Sequence, residues 1–349
     1  MRLVTFSVAT PIGRVTRLGA HLQENAPDRI VDLTTGYADY LSYQHDDPRA
    51  LEMAQVRVPP DMLAWLQGGS ASKEAAQTAL QHVRQTKRNE AFNEARLVFE
   101  RSQVRLLSPL PRPSSFRDFS IYYDHMSKNE IGIPRTRSEN WYRWPSYYKG
   151  SPASIAGPED PIPFPYYSEK LDPEFEIGII LGRKGRNLSI EDAANCIAGY
   201  TILVDSSARE LWSREVLGPA KSKDFHTALG PCLVTADSID PSNIPVRLLV
   251  DGELWWEGNA GARRGWTPAH LVAYASDNET VHPGDLIGCG AIGDSCSLDT
   301  HRWPKVGQVM TFEAEGIGRM SLRIARGEKE VRHVGEGMRN LMTPPENAA

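Results

Sequence analysis

Two glutamates on one predicted strand are the clearest chemical signal in the sequence. They belong to the segment LDPEFEIGIIL, in which Pro173 opens the strand. Because side chains alternate along a strand with a period of two, Glu174 and Glu176 point the same way, with their Cα atoms about 7 Å apart. On a solvated face such a pair is only surface charge. The residues of the next strand favour a functional role instead.

A third carboxylate ends that next strand. The run YTILVD is apolar until Asp205, and Ser207 and Glu210 have the spacing of a capping box, which predicts that a helix begins directly afterwards. Loops at such ends often build functional sites, although a charged residue is also an ordinary way for a strand to leave the core. Three converging carboxylates repel one another unless a hard cation neutralises them, and ligands that are all oxygen suit Mg²⁺, Mn²⁺ or Ca²⁺. We therefore predict a divalent-metal site.

A candidate base lies upstream, in the polar and aromatic segment RDFSIYYDHMSKNEIGIPR. Asp118 could add a fourth carboxylate, and His125 is the one histidine of the segment. Imidazole is the natural general base near neutral pH, provided that it reaches a water or a substrate. The alternative is an ordinary histidine of a surface loop.

The elements that must position these residues are mainly strands. Short strands and turns are predicted up to about residue 60, and one or two amphipathic helices from Ser72 to about Phe99. Strand-like runs dominate the second half of the chain. The sequence therefore predicts an α+β, β-rich fold.

A proline-rich segment, SPLPRPSS, divides the chain, because its alternating prolines prevent a regular helix or a central strand. The predicted division is an N-terminal domain with short strands and a helix over 1–107, a linker over 108–115, a catalytic domain over 116–340 and a flexible tail over 341–349.

Charge and hydropathy exclude several classes of protein. Lys and Arg number 39 and Asp and Glu 44, a net charge of −5, so no basic excess favours nucleic acid or an anionic membrane. The longest apolar run, around Ile177–Gly182, is far shorter than the ~18 residues that cross a bilayer. Arg14 and Arg17 stand where a signal peptide would be apolar. Four cysteines without metal-ligand spacing fit a reducing compartment. We expect an unexported, cytoplasmic protein.

Several segments, taken in order, resemble the fumarylacetoacetate hydrolase family. The likeness covers roughly residues 105–325, and the earlier part of the chain resembles the family's small, β-rich N-terminal domain only loosely. The matching features are Asp118, His125, PSYYKG (145–150), LDPEFEIG (171–178), VDSSARE (204–210), LGPAKSKDF (217–225), PGDLIGCG (283–290) and EGIG (315–318).

The resemblance implies a catalytic domain of mixed, mainly antiparallel sheets in a sandwich-like roll around a divalent metal, Mg²⁺ or Mn²⁺ with Ca²⁺ as a further candidate, and usually a homodimer. It assigns His125 as the base that activates water. It also assigns four metal ligands, namely Asp118, Glu174, Glu176 and Asp205.

The same resemblance implies a set of substrate-binding residues. Arg209 and Lys223 match positions that bind a substrate carboxylate and stabilise enolate charge, and Tyr148 and Arg135 match a substrate-binding tyrosine and arginine. The carboxylate that partners His125 is left open between Glu130 and Asp299. Trp212 stands where the namesake enzyme carries glutamine, which argues against the namesake substrate.

The implied activity is hydrolysis of a C–C bond in a β-diketone or 2,4-dioxo acid of the acylpyruvate or fumarylacetoacetate type. His125 would activate water, and Lys223 and the metal would stabilise the enolate that leaves. The alternatives are a hydratase, dehydratase, isomerase or decarboxylase of a 2-oxo acid at the same metal site, and a non-catalytic binding protein. The expected partner is a small 2-oxo acid or diketone.

Overall fold

The alternating and apolar runs of the sequence form long strands in the structure, a computed structural model. It describes residues 1–23, 26–91, 94–127, 139–212, 215 and 218–328. The strands are β1 Arg2–Thr10, β2 Gly13–Gln23, β3 Ala26–Asp32, β4 Val98–Glu100, β5 Arg105–Leu106, β6 Ser115–Phe119, β7 Tyr147–Lys149, β8 Ile155–Ala156, β9 Ile162–Phe164, β10 Leu171–Leu181, β11 Ile197–Ala208, β12 Thr227–Thr235, β13 Pro245–Val250, β14 Glu253–Asn259, β15 Asp285–Gly288, β16 Val309–Ala314 and β17 Gly318–Arg326.

Helices are fewer and mostly short. Those in the described residues are α1 Leu33–His45, α2 Ala50–Arg57, α3 Met62–Gln67, α4 Gly69–Thr86, α5 Tyr123–Ser127, α6 Glu139–Arg143, α7 Ile190–Cys196, α8 Arg209–Trp212, α9 Pro268–Ser276 and α10 Ser297–Thr300. In this part of the chain no helix has both the length and the apolar character that a membrane span requires. The predicted β-rich α+β class is confirmed.

Two mixed sheets contain these strands. The larger runs in the order β4-β3-β2-β1-β12-β11-β10-β15-β6-β7, with β5 and β8 beside it, and the smaller in the order β14-β13-β16-β17-β9. Most pairs are antiparallel, but β15 pairs with β6 in parallel. The larger sheet holds the candidate site on its central strands.

The register of five neighbouring strands brings the predicted site residues together. Glu174 on β10 lies opposite Asp205 on β11. On the other side of β10, the pairing with β15 and then β6 leads to Asp118, which in turn lies opposite Tyr148 on β7. All eleven residues of β10 are buried, so its carboxylate face is enclosed. The surface-charge interpretation of the glutamate pair is therefore wrong.

The opposite face of β10 packs against the smaller sheet. Phe175, between the two glutamates, contacts Phe312 of β16 with ring centroids 5.3 Å apart and planes at 79°. Both side chains are fully buried. This edge-to-face contact joins the sheets directly behind the candidate site.

The first hundred residues continue the larger sheet. Strand β1 pairs with β12, with Leu3 opposite Leu233, and both leucines share a core cluster with residues of α4 such as Leu80. Strands on the two sides of the predicted 108–115 linker thus belong to one sheet. The division into domains stays a prediction.

Two local predictions are wrong. The helix expected from Ser72 to about Phe99 ends at Thr86, because Lys87 adopts a left-handed φ of 54° and its N–H bonds back to the carbonyl of Val83. The capping box after Asp205 is absent, because β11 continues to Ala208 and Ser207 lies within the strand.

Candidate active site

Three carboxylates converge on the buried face of the larger sheet. Oxygens of Asp118, Glu176 and Asp205 all lie within 4.8 Å of one another, and we call this group the carboxylate triad. Glu176 Oε2 accepts a hydrogen bond of 2.8 Å from the Gly290 amide. Asp118 Oδ1 and Glu176 Oε1 are buried without a hydrogen-bond partner, which leaves two acceptor atoms for another ligand.

Burial and mutual repulsion set the charges in the triad. Burial raises the pKa of Asp118 well above its ordinary value, and the charge of Asp205 raises it further. The pKa of Glu176 is raised by burial and then by Asp118 and Asp205. Such a group needs either protons or a cation, and a donor set made only of oxygens suits a hard divalent ion. The residues present therefore fit the predicted metal.

Gly288 makes room for two members of the triad. A Cβ at this position would lie 2.2 Å from Asp118 Oδ1 and 2.8 Å from Glu176 Oε2. Only a residue without a side chain lets both carboxylates lie over β15. In the sequence this glycine is part of GCGAIG, which fits a dinucleotide-binding pattern but predicts only a tight turn, because the residues that follow it, DSCSLD, have no helical periodicity.

The fourth predicted ligand, Glu174, lies among cations beside the triad. It contacts Lys223 Nζ and Arg209 Nη2, and Ser207 Oγ donates a 3.3 Å hydrogen bond to its Oε2. Burial alone would raise the pKa of Glu174, but Arg209, Lys223 and the nearby His125 lower it well below its usual range. Glu174 is therefore ionised, and its role as a metal ligand stays a prediction.

Lys223 bridges Glu174 and the triad. Its Nζ contacts both Glu174 Oε2 and Asp205 Oδ2. Burial opposes the charge on Lys223, but Asp205 and Glu174 raise its pKa. Tyr148 donates a 2.7 Å hydrogen bond to Asp205 Oδ2, and its ring centroid is 5.4 Å from Lys223 Nζ. In the structure, Lys223 and Tyr148, which the sequence predicts to bind substrate, thus both contact Asp205.

The predicted base has a carboxylate partner. His125 Nδ1 lies 3.0 Å from Asp299 Oδ1 and 3.1 Å from Oδ2, while its Nε2 lies 3.5 Å from Glu174 Oε1. Burial would raise the pKa of Asp299, but the charge and hydrogen bond of His125 lower it. An ionised Asp299 accepts a hydrogen bond from Nδ1–H of His125, which leaves Nε2 as the basic nitrogen.

Of the two candidate partners, the structure places Asp299 at the histidine. Glu130 lies outside the described residues, as does Arg135, so their predicted roles stay predictions. Trp212, at the end of α8, is buried.

Two residues of the site escaped the sequence analysis. Cys296 Sγ lies 3.5 Å from His125 Nδ1, and nothing in the local sequence indicates this contact. Asp172 is fully buried and pairs with Arg209. The sequence does indicate Asp172, because it precedes Glu174 by two residues and therefore lies on the same face of the strand.

Known proteins resemble this chain in sequence. The family profile described as fumarylacetoacetate (FAA) hydrolase C-terminal matches residues 116–325. The chain is 31% identical over 277 residues to oxaloacetate tautomerase fahd2, mitochondrial, of Xenopus laevis, covering 76% of this chain and 78% of that protein. It is also 31% identical over 241 residues to human oxaloacetate tautomerase FAHD2A, mitochondrial, covering 67% and 69%.

Solved structures share the fold. A fumarylacetoacetate hydrolase from Exiguobacterium antarcticum superposes with a TM-score of 0.66 at 22% identity, covering 93% of this chain and 99% of that one. Maleylpyruvate hydrolase from Sphingobium sp. SYK-6, in complex with manganese(II) and pyruvate, gives 0.65 at 21% identity, covering 94% and 100%. The chain belongs to the fumarylacetoacetate hydrolase family.

Proposed function

We propose that the protein is a metal-dependent enzyme that interconverts the enol and keto forms of a 2-oxo dicarboxylate such as oxaloacetate. The observation that carries the proposal is the position of the His125–Asp299 pair beside the carboxylate triad, with Lys223 between them at Glu174. The name of the 31% identical relatives, oxaloacetate tautomerase, supports the choice of reaction.

The chain's own residues supply the proton transfer. With Asp299 accepting a hydrogen bond from Nδ1–H, His125 Nε2 takes a proton from the carbon next to the 2-oxo group and then gives this proton to the 2-oxo oxygen, which completes the enol; the same two transfers in reverse give the keto form. Between the two transfers negative charge develops on the 2-oxo oxygen, and the Lys223 ammonium stabilises it. The buried Arg209 guanidinium adds positive charge for a substrate carboxylate. A divalent cation held by Asp118, Glu176 and Asp205 would supply Lewis-acid polarisation of the 2-oxo group.

Turnover of oxaloacetate tests the proposal. We expect conversion of the enol form, followed by ultraviolet absorbance, to need Mg²⁺ or Mn²⁺ and to fall about 10²–10⁴-fold in kcat in His125→Ala. His282→Ala removes an exposed imidazole outside the site and is expected to match the parent protein. A fully active His125→Ala enzyme would refute the role given to this histidine.

A second candidate is hydrolysis of a C–C bond in an acylpyruvate or fumarylacetoacetate type of substrate. It is favoured by the same His–Asp pair, since a base with an oriented Nε2 can also activate water, and the family includes the maleylpyruvate hydrolase with the same fold. Product analysis separates the two, because hydrolysis gives two fragments and tautomerisation, like hydration or isomerisation, gives one.

Metal binding separates both enzymes from a non-catalytic protein. Titration calorimetry with Mn²⁺ is expected to show binding to the parent protein and at least about tenfold weaker binding to Glu176→Gln, which removes one charged oxygen of the triad. Absence of binding to the parent would favour a binding protein whose carboxylates hold no cation.

A further inference from the structure

Asp172 is an acid of the site that lies outside the triad. Its carboxylate is fully buried and accepts four contacts from two directions. Ser297 N and Leu298 N lie 2.6 and 3.1 Å from its oxygens, and Arg209 Nη2 and Nε lie 2.7 and 2.8 Å from Oδ2. One donor therefore contacts Oδ1 and three contact Oδ2, so both oxygens of Asp172 have partners.

On one side, Asp172 contacts the helix that carries Asp299, the partner of His125. Ser297 and Leu298 are the first residues of α10, whose amide groups have no acceptor within the helix. Asp299 follows them directly and holds His125 Nδ1. The carboxylate of Asp172 therefore fixes the short helix that carries Asp299.

On the other side, Asp172 is connected through Arg209 and Glu174 to Nε2 of His125. Arg209 spans Asp172 and Glu174, and Glu174 Oε1 is the atom that His125 Nε2 faces at 3.5 Å. Burial opposes the charge of Arg209, but Glu174 and Asp172 raise its pKa. Asp172 is thus connected to both sides of the base without touching it.

We propose that Asp172 is a positioning residue that holds Asp299 and, through Arg209, Glu174 on the two sides of His125, so that the imidazole keeps its proton on Nδ1 and presents Nε2 to the substrate. The inference rests on the proposed function for its kinetic consequence. Its structural consequence, the tautomer of His125, does not depend on any activity.

Asparagine at this position tests the proposal. The amide group keeps one acceptor oxygen but turns an NH₂ toward donors, so either α10 or Arg209 loses its partner. In Asp172→Asn we expect kcat to fall about 10–100-fold, as for other groups that orient a functional residue, with KM within about threefold. Asp39→Asn is the matched control, because Asp39 is also a fully buried carboxylate that contacts an arginine and a histidine, Arg88 and His82, in the N-terminal part of the chain.

The tautomer is measured separately on the full chain with Mg²⁺. Imidazole ¹⁵N shifts distinguish protonation at Nδ1 from protonation at Nε2, and the signals of His125 are those lost in His125→Ala. We expect Asp172→Asn to move them from the Nδ1–H pattern toward a mixture, and Asp39→Asn to leave them unchanged. Unchanged His125 shifts together with an unchanged kcat in Asp172→Asn would overturn the proposal.

A second variant covers the case in which Asp172→Asn does not fold. Ser297→Pro removes the N–H that donates to Asp172 Oδ1, together with the serine hydroxyl, at a first helical position where proline is favoured. The preceding Cys296, with φ −98° and ψ 162°, already has the extended backbone that a following proline requires. We expect the same shift of the His125 signals and a kcat lower by about tenfold.

Ile190→Pro controls for proline itself. Ile190 is the first residue of α7, its side chain is half exposed, and Ser189 before it is also extended. This variant is expected to keep the parent's signals and kcat, and a Ser297→Pro protein that also keeps both would contradict the proposal. If the parent protein lacks turnover but the His125 signals move in Asp172→Asn, the proposed function fails while the positioning of the imidazole stands.

Discussion

The surroundings of Glu174 and Glu176, two residues of strand β10, shift their pKa values in opposite directions. Glu176 on β10 has a raised pKa because burial and then the carboxylates of Asp118 and Asp205 oppose its charge. Glu174 lies two residues from Glu176, yet Arg209 and Lys223 lower its pKa despite its burial. Beyond the Lys223 that contacts Asp205, the triad therefore needs protons or a further cation, whereas Glu174 is neutralised by Arg209 and Lys223 of the chain itself.

The raised pKa of Asp118 predicts a stability that depends on pH. Protonated Asp118 is favoured by folding, so this contribution is complete below the unfolded pKa, near 4, and is lost as the pH rises through the folded value. Metal-free Asp118→Asn should therefore have a melting temperature several degrees above that of the metal-free parent at pH 8. The difference should shrink toward pH 4, as measured by calorimetry across this range.

Asp237 provides the control of opposite sign. A hydrogen bond from Lys73, and then one from Thr235, lower the pKa of Asp237 to about 2. Its stabilisation is present above the unfolded pKa and is lost as the pH falls from about 4 to about 2. Asp237→Asn should therefore lower the melting temperature at pH 8. An Asp118→Asn protein that is also less stable at pH 8 would contradict the repulsion inferred for the triad.

At the scale of elements, strand register decides which carboxylates meet. Period-two alternation places Asp172, Glu174 and Glu176 on one face of β10, and this much is predictable from the sequence. The pairing of β10 with β15, and of β15 with β6, then brings Asp118 over Gly288. A shift of one residue between these strands would turn one set of side chains to the opposite face.

A methyl group added at Gly288 tests whether metal binding needs the space that this glycine leaves over β15. In Gly288→Ala the added Cβ would lie 2.2 Å from Asp118 Oδ1, so the carboxylates must move apart. We expect Mn²⁺ affinity to fall at least about tenfold, measured by titration calorimetry. At Gly265 the nearest atom to an added Cβ is Trp141 at 3.4 Å, an ordinary contact. Gly265→Ala should bind Mn²⁺ like the parent, and equal affinity in Gly288→Ala would argue against the triad as the metal site.

Short elements were the least predictable. Ser207 and Glu210 have the spacing of a capping box, but Ser207 donates to Glu174, while Glu210 accepts hydrogen bonds from the backbone amides of Glu169 and Lys170. Tertiary partners for both side chains override the local pattern. His125 also has a tertiary partner, because Asp299 is brought to it from a distant segment.

At the scale of the molecule, the smaller sheet supports the site from behind. Phe312 packs on Phe175, the residue between Glu174 and Glu176, and both rings are fully buried. The backbone of β10 is thereby fixed from the face opposite the carboxylates. The homodimer implied by the family resemblance stays a prediction.

Removing one ring tests this support. Phe312→Ala should lower the free energy of unfolding by about 3–5 kcal/mol, because it removes buried apolar surface and leaves a cavity. Denaturant titration followed by circular dichroism measures the change. Val306→Ala, at an exposed position before β16, should alter stability by less than about 0.5 kcal/mol. A similarly small effect of Phe312→Ala would show that the sheets do not depend on this contact.

The sequence by itself determined the β-rich class, the shared face of the strand carboxylates and, through its ordered segments, the resemblance to the family. These features are local, because alternation and turn residues act over a few positions. Only the tertiary structure decided that Asp299 partners His125 across 174 positions and that Asp172 holds the helix of Asp299 across 125 positions. Such contacts depend on strand order and register, which no local pattern specifies.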